Sequence, residues 1–286
     1  MVTKGFSSSR GLTLAAATIA AAASLGLAGA ASASTVIYSD NFVQASGTQL
    51  NGQTVESSAT YAGGTAGAAW TGDTNVTTTG SNGAYFDAST SGGHAGTSDL
   101  YLPFAPVAGY NYTLTETLSL GTTATNTKGW LAAGFAPSPS TDTSTTSGGG
   151  YFYNANSDWA LVRPTVANNT PKYFGGPGNN NYSVNFGTTA DSGTQTLVIT
   201  LNTSAAAWTG SAMIQGDPSH PSPTFTYTTN PTITDVALGA WSDPGTISNF
   251  SLTATPVTAV PEPASLALVG VGALGLLLLK KRKASA

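Results

Sequence analysis

Cysteine is absent from all 286 residues. Its absence excludes disulfides, thiol catalysis and zinc–thiolate sites, so the folded state must rely on its packed core. Histidine is almost absent: His94 lies in a Gly-rich stretch and His220 in a Pro-rich one. No His-x-x-x-His pair offers a metal site and no Gly-x-Ser-x-Gly elbow offers a nucleophile. Positive charge is also scarce, and six of the nine basic residues lie near the chain ends. Between Ser34 and Val260 only Lys128, Arg163 and Lys172 stand against twelve acids, a net charge of −9. Nucleic acid as a partner is thereby excluded, because its binding needs clustered Lys and Arg to replace counterions. Electrostatic attachment to anionic lipid is excluded for the same reason. What remains for the surface is Thr, Ser, Asn and Gly, neutral and rich in hydrogen-bonding groups.

The two ends carry most of the information. At the start, Lys4 and Arg10 precede an apolar run from Leu12 to Leu27. Ala31-Ser32-Ala33 then supplies small residues in the small-x-small order of a signal-peptidase site, with Ala28-Gly29-Ala30 as the competing site. Residues 1–33 therefore read as a signal peptide with a helical core, handled by the secretion machinery and signal peptidase. At the other end three parts follow in order: Pro261-Glu262-Pro263, an uncharged run from Ala264 to Leu279, and Lys280-Lys281-Arg282-Lys283. As a helix the run would be about 24 Å long, marginal for a bilayer unless the lysines snorkel and extend it. The four cations should stay on the cytoplasmic side, placing the residues before Pro261 across the membrane. The two prolines keep the motif itself extended and open to a protease.

This order resembles the PEP-CTERM sorting signal of Gram-negative bacteria. The resemblance covers the last tenth of the chain, residues 260–283. It implies a partner exosortase, a membrane-embedded cysteine-type transpeptidase that cuts near the motif. It also implies export with transient anchoring in the inner membrane, then a place at the cell surface or outside the cell. Such systems are linked to exopolysaccharide and biofilm.

The stretch 34–256 reads as one all-β domain. In Tyr110–Leu120, Tyr112, Leu114, Leu118 and Leu120 point one way and Asn111, Thr113, Thr115, Thr117 and Ser119 the other, the alternation of a strand. Thr194–Leu201 repeats it. Trp130–Phe135 and Trp159–Val162 read as short buried strands, with Trp130 and Trp241 as core. Val236–Trp241 and Ile247–Thr253 read as a closing pair. Gly, Pro and Asn clusters separate these runs, and Ala136–Gly150 reads as a polar surface loop. A single antiparallel β-sandwich or jelly roll is expected. Asp40-Asn41-Phe42, Leu50-Asn51-Gly52-Gln53, Leu102-Pro103-Phe104, Gly129–Phe135 and Ile247–Leu252 resemble the concanavalin-like, laminin-G-type sandwich. That resemblance implies lectins, carbohydrate-binding modules, glycosidases and structural domains alike.

Catalysis finds no support. The hydrolases of this fold use Glu-x-Asp-x-x-Glu or Glu-x-Asp-x-Glu, which place two carboxylates about 5–5.5 Å apart. Glu56 and Glu116 are the only glutamates between the two ends, and neither has an acidic neighbour at that spacing. No catalytic residue is assigned. Glu116 falls on the apolar face of its strand, which admits three readings: a neutral or paired interior carboxyl, with Arg163 or Lys128 as partner; a residue lining a sugar groove; or, most plainly, a residue turned outward by a bulge or edge. Tyr151, Tyr153, Tyr173 and Tyr182 are the candidate sugar contacts in the densest loop group of aromatics. No cofactor is expected. The one candidate metal is calcium tying the first strand to the last, with Asp40, Asp243 and Asn249 as oxygen ligands. The working expectation is a non-catalytic module that binds exopolysaccharide; the alternative is a structural, glycosylated coat protein, and a glycoside hydrolase comes third.

Overall fold

The computed structural model describes residues 32–87, 97–120, 129–137, 157–163, 170–175, 183–187, 193–217, 221–241 and 245–257. All regular structure among them is strand. In chain order these are β1 (Thr35–Asp40), β2 (Ser57–Ser58), β3 (Thr71–Gly72), β4 (Val76–Thr78), β5 (Ala84–Phe86), β6 (Thr97–Pro103), β7 (Tyr110–Leu120) and β8 (Trp130–Ala136). There follow β9 (Asp158–Val162), β10 (Lys172–Phe174), β11 (Ser183–Asn185), β12 (Thr194–Asn202), β13 (Thr209–Ile214), β14 (Phe225–Thr226), β15 (Asp235–Trp241) and β16 (Gly245–Pro256). Ser34–Val257 forms one compact unit. No helix among the described residues is long and apolar enough to cross a membrane; the run 264–279 lies outside them.

The strands form two antiparallel sheets. One has the order β14-β13-β12-β7-β16-β1-β2, with β5 added on β16 and β4 on β5; the other has the order β11-β10-β9-β8-β15-β6-β3. The expected antiparallel β-sandwich is thus the observed fold. The core is the space between the sheets. From the first sheet it takes Tyr112, Leu114, Leu118, Leu197, Ile199, Leu201, Phe250 and Leu252; from the second, Leu100, Leu102, Leu131, Ala133, Phe135, Val236 and Leu238. Period-2 alternation places these residues on one face of each strand.

The expected closing pair is corrected. β15 and β16 are consecutive but lie in different sheets: β15 pairs with β6 and β8, and β16 with β1, β5 and β7. β15 is buried along both sides while β16 alternates, and the chain crosses between the sheets from one to the other, so neighbourhood in the sequence does not set the pairing.

The loops before β6 are fixed by buried polar groups rather than by regular structure. The Tyr38 hydroxyl donates to Pro103 O at 2.5 Å and accepts from Thr65 N at 2.7 Å. Trp70 is fully buried, its indole N–H donating to Asp40 Oδ2 at 2.8 Å, with Phe42 and Phe250 packed on its ring.

On its outward side the nine-stranded sheet is hydroxylated. Around the apolar pair Val198 of β12 and Met213 of β13, β7 presents Asn111, Thr113, Thr115, Thr117 and Ser119; β12 presents Thr194, Thr196, Thr200 and Asn202; β16 presents Thr246, Ser248, Ser251, Thr253 and Thr255. These polar side chains are half-buried or exposed and none is charged.

Candidate functional site

The outward side of the seven-stranded sheet is different. Strands β8, β9 and β15 are buried along both sides, and a second apolar cluster stands on the side away from the core. It joins Tyr101, Trp130, Ala132, Ala136, Trp159, Leu161 and Ala237, with Phe174 and Trp241 packed against it. Backbone register orders it into ranks. One rank runs Tyr101–Ala237–Gly134–Trp159–Phe174 across β6, β15, β8, β9 and β10. The next runs Asp99–Gly239–Ala132–Leu161–Lys172. Trp241 and Trp130 pair in a third.

The result is a floor of Ala and Gly between aromatic walls. Trp159 stacks on Phe174 with ring centres 4.2 Å apart and planes 8° apart. Trp130 lies between Trp159 and Trp241, at 5.8 and 6.4 Å. Gly134 is required here: a Cβ would meet Trp159 Cβ at 2.3 Å and Asp158 O at 2.5 Å. The inner rings are almost enclosed, Trp130 at 5% exposure and Trp159 at 3%. Phe174 and Trp241, at the two ends, are half-buried and present the accessible ring surface. Lys172 and Arg163, both half-buried, lie on the Phe174 side, and Asp99 at the opposite end of its rank.

Several sequence expectations fall differently. Trp130 and Trp241 are not part of the core between the sheets; they belong to this outward cluster, because β8 and β15 are apolar on both sides. Tyr173 is inside β10 and 1% exposed, its ring turned into the core and away from the face that Phe174 joins. Tyr151, Tyr153, Tyr182, Asp243, Lys128, Ala31 and the whole stretch Pro261–Lys283 lie outside the described residues. Ala33 is described and exposed, two residues before β1. Asp40 spends both carboxylate oxygens on protein donors, Phe42 N at 2.8 Å and Trp70 Nε1 at 2.8 Å. Asn249, left-handed at φ 51° in the bulge of β16, donates from Nδ2 to Thr117 Oγ1. Among the described residues no group of three or more His, Asp and Glu is placed to hold a metal.

Glu116 is the clearest correction. No bulge turns it outward. It is 0% exposed, points into the core between Leu114 and Leu118, and neither carboxylate oxygen meets a hydrogen-bond partner. Burial drives its carboxyl well above the usual range, so it is held neutral. A second interior acid escaped the sequence reading. Asp158 opens β9, and an acid at the start of an apolar strand reads as solvent-exposed; yet it is 0% exposed. Burial pushes it up to about 7, and the hydroxyls of Tyr173 and Tyr227 pull it back in part. Gly210 makes room for the group: a Cβ there would meet Tyr173 Oη at 2.2 Å and Asp158 Oδ2 at 2.7 Å.

The described body is thus an exported-type antiparallel β-sandwich with one aromatic outward face. Residues 259–283 match the PEP-CTERM protein-sorting motif. The chain therefore carries an export and sorting signal read by an exosortase. None of the curated proteins matches the sequence. Among solved structures, an endo-1,3-beta-glucanase from Streptomyces sioyaensis is similar at 15% identity, covering 78% of this chain and 96% of its own, with a TM-score of 0.48. Lectin II from Ulex europaeus is similar at 13% identity, covering 66% and 92%, with a TM-score of 0.45. The carbohydrate recognition domain of Emp47p is similar at 11% identity, covering 77% and 98%, with a TM-score of 0.46.

Proposed function

We propose that the processed protein acts at the cell surface or in the extracellular matrix of a Gram-negative-type bacterium as a non-catalytic binder of exopolysaccharide. The observation that carries this reading is the gathering of Trp130, Trp159, Trp241, Phe174 and Tyr101 on one outward face over a floor of Ala and Gly. Sugar rings offer C–H faces that stack on aromatic rings, and hydroxyls that pair with polar side chains at the rim. Phe174 and Trp241 provide the accessible rings, and the half-buried Lys172 and Arg163 the rim. The domain so defined is 34–256.

Among the described residues, Asp99 and Asp235 are the acids outward on the paired strands β6 and β15. Asp73 lies beside Asp99, its Oδ2 accepting from Asp99 N at 3.0 Å, and Asp99 stands opposite Gly239, four residues from Asp235. That offset is about 13 Å along the strand, too far for either a retaining or an inverting pair. Glu116 is enclosed in the core, and Glu56 accepts hydrogen bonds from Asn41 N and Nδ2 at an exposed site elsewhere.

Two expected results test the reading. Titrating the processed protein with polysaccharide extracted from the producing cells should shift tryptophan fluorescence. Trp241→Ala and Phe174→Ala should each weaken binding about tenfold, the loss of about 1.4 kcal/mol of ring contact. Unchanged affinity in both variants would overturn the site, and release of reducing ends would overturn the non-catalytic assignment. The sorting route is tested by intact mass. The product from cells and medium should start near Ser34 and end near Pro261. Glu262→Ala should instead retain Lys280–Lys283, and retention of those residues in both forms would sink exosortase processing. Mass in excess of the polypeptide would mark glycosylation and favour the structural coat.

A further inference from the structure

The two outward faces of the sandwich contrast in a way that suggests a second contact surface. On the nine-stranded sheet, Ser211, Thr200, Thr113 and Thr253 form one rank across β13, β12, β7 and β16. Thr196 and Thr117 face each other in another. Strand geometry sets these hydroxyls on a grid of about 4.8 Å across strands and about 6.7 Å along them. Part of the grid is held in place: Thr200 Oγ1 and Ser211 Oγ are 2.6 Å apart, and Thr117 Oγ1 and Thr196 Oγ1 are 3.3 Å apart. The ordering entropy of these side chains is therefore already spent.

Charge is the second observation. The body carries a net −9, yet no outward position of β7, β12, β13 or β16 holds a charged residue. The partner implied is uncharged. Apart from Val198 and Met213, which share one rank, and Tyr85 on the added β5, the outward side chains of these strands are Thr, Ser and Asn. A threonine offers a hydroxyl and a methyl side by side, the same pairing of hydroxyl and C–H surface that a neutral sugar presents. Each contact is weak, but contacts repeated along a polymer reinforce one another through high effective concentration.

We propose that this face binds neutral, hydroxyl-rich polysaccharide independently of the aromatic face, making the protein a two-sided cross-linker of its matrix. The cross-linking half of this proposal rests on the binding function given above. The test uses the processed protein and the neutral fraction of the producing cells' polysaccharide, separated from the acidic fraction by anion exchange. Wild-type protein should precipitate the neutral fraction. A triple variant, Thr113→Val, Thr200→Val and Thr253→Val, removes three hydroxyls of one rank while keeping shape and strand propensity. It should still bind but should precipitate at least tenfold less. Trp241→Ala should do the same, and the combined variant should lose binding. Thr115→Glu, which sets a charge in the middle of the face, should reproduce the triple variant and decides the matter if the triple variant does not fold. Wild-type binding without precipitation, or full precipitation by the folded triple variant and by Thr115→Glu, overturns the second face alone. Loss of all binding in Trp241→Ala also overturns it. No binding by the wild type overturns both faces.

Discussion

Raising the pH from 4 to 8 should destabilise this protein steadily, where most proteins gain stability over the lower part of that range. The cause is the direction of its shifted acids. Burial raises Asp40, Glu116, Asp158 and Asp235 alike. An acid whose folded pKa lies above its unfolded value binds more protons folded than unfolded. Its contribution is intact below the unfolded pKa and is lost as the pH rises through the folded one. For Asp158 the window runs from the ordinary value of 3.8 to about 7, which amounts to about 4 kcal/mol at 1.36 kcal/mol per unit. Glu116, raised in the same direction by burial, adds to the loss. Urea midpoints measured across pH 4–8 should therefore fall. Asp158→Asn should flatten the curve up to pH 7 and raise Tm at pH 8 by roughly 10 °C, at 2–4 °C per kcal/mol for a domain of this size. Glu116→Leu, which extends the row of Leu114 and Leu118, should raise it further. A midpoint that climbs between pH 4 and 7, in wild type and variants alike, would show that both carboxyls reach water.

Truncating Trp70 should cost about 5 kcal/mol, a large fraction of the roughly 5–15 kcal/mol that holds a domain folded. The indole is fully buried between Phe42 at 5.9 Å and Phe250 at 5.1 Å. Removing such a ring costs about 3–5 kcal/mol through lost burial and an unfilled cavity. Its N–H also holds Asp40 Oδ2, and a buried carboxylate left without that donor adds about 1–3 kcal/mol. The ring ties β1, β16 and the loops before β6, so Trp70→Ala should lower the urea midpoint severely or leave the protein unfolded. Trp70→Phe keeps most of the apolar volume and loses only the donor, so it should cost about half as much. A loss below about 2 kcal/mol for Trp70→Ala would place the anchor of β1 elsewhere.

The C-terminal motif and the body contribute separately to the biology. An exosortase reads a linear segment, so the sorting signal is complete within residues 259–283. The aromatic outward face supplies the proposed polysaccharide contact. The net −9 of the body would repel an acidic polymer, so the proposed contact is with a neutral one.

The sequence by itself determined what is local. The sorting motif and the alternating strands β7 and β12 are patterns within a few dozen residues, and a period of two is visible wherever one face of a strand is polar. It also established the all-β class and the scarcity of positive charge. Tertiary structure decided what depends on distant neighbours. Strands β8, β9 and β15 are apolar on both sides, so no alternation told which side of Trp130, Trp159 or Trp241 meets the other sheet. Glu116 looked destined for water because an unpaired interior carboxylate is costly; the fold keeps it inside as the neutral acid. Asp158 gave no signal at all, since only the approach of β10 and β13, with Gly210 leaving the space, makes its position an interior one. Pairing partners and the choice of inward face are set by contacts between residues far apart in the chain, and for that reason the two faces proposed to bind polysaccharide emerged only from the folded molecule.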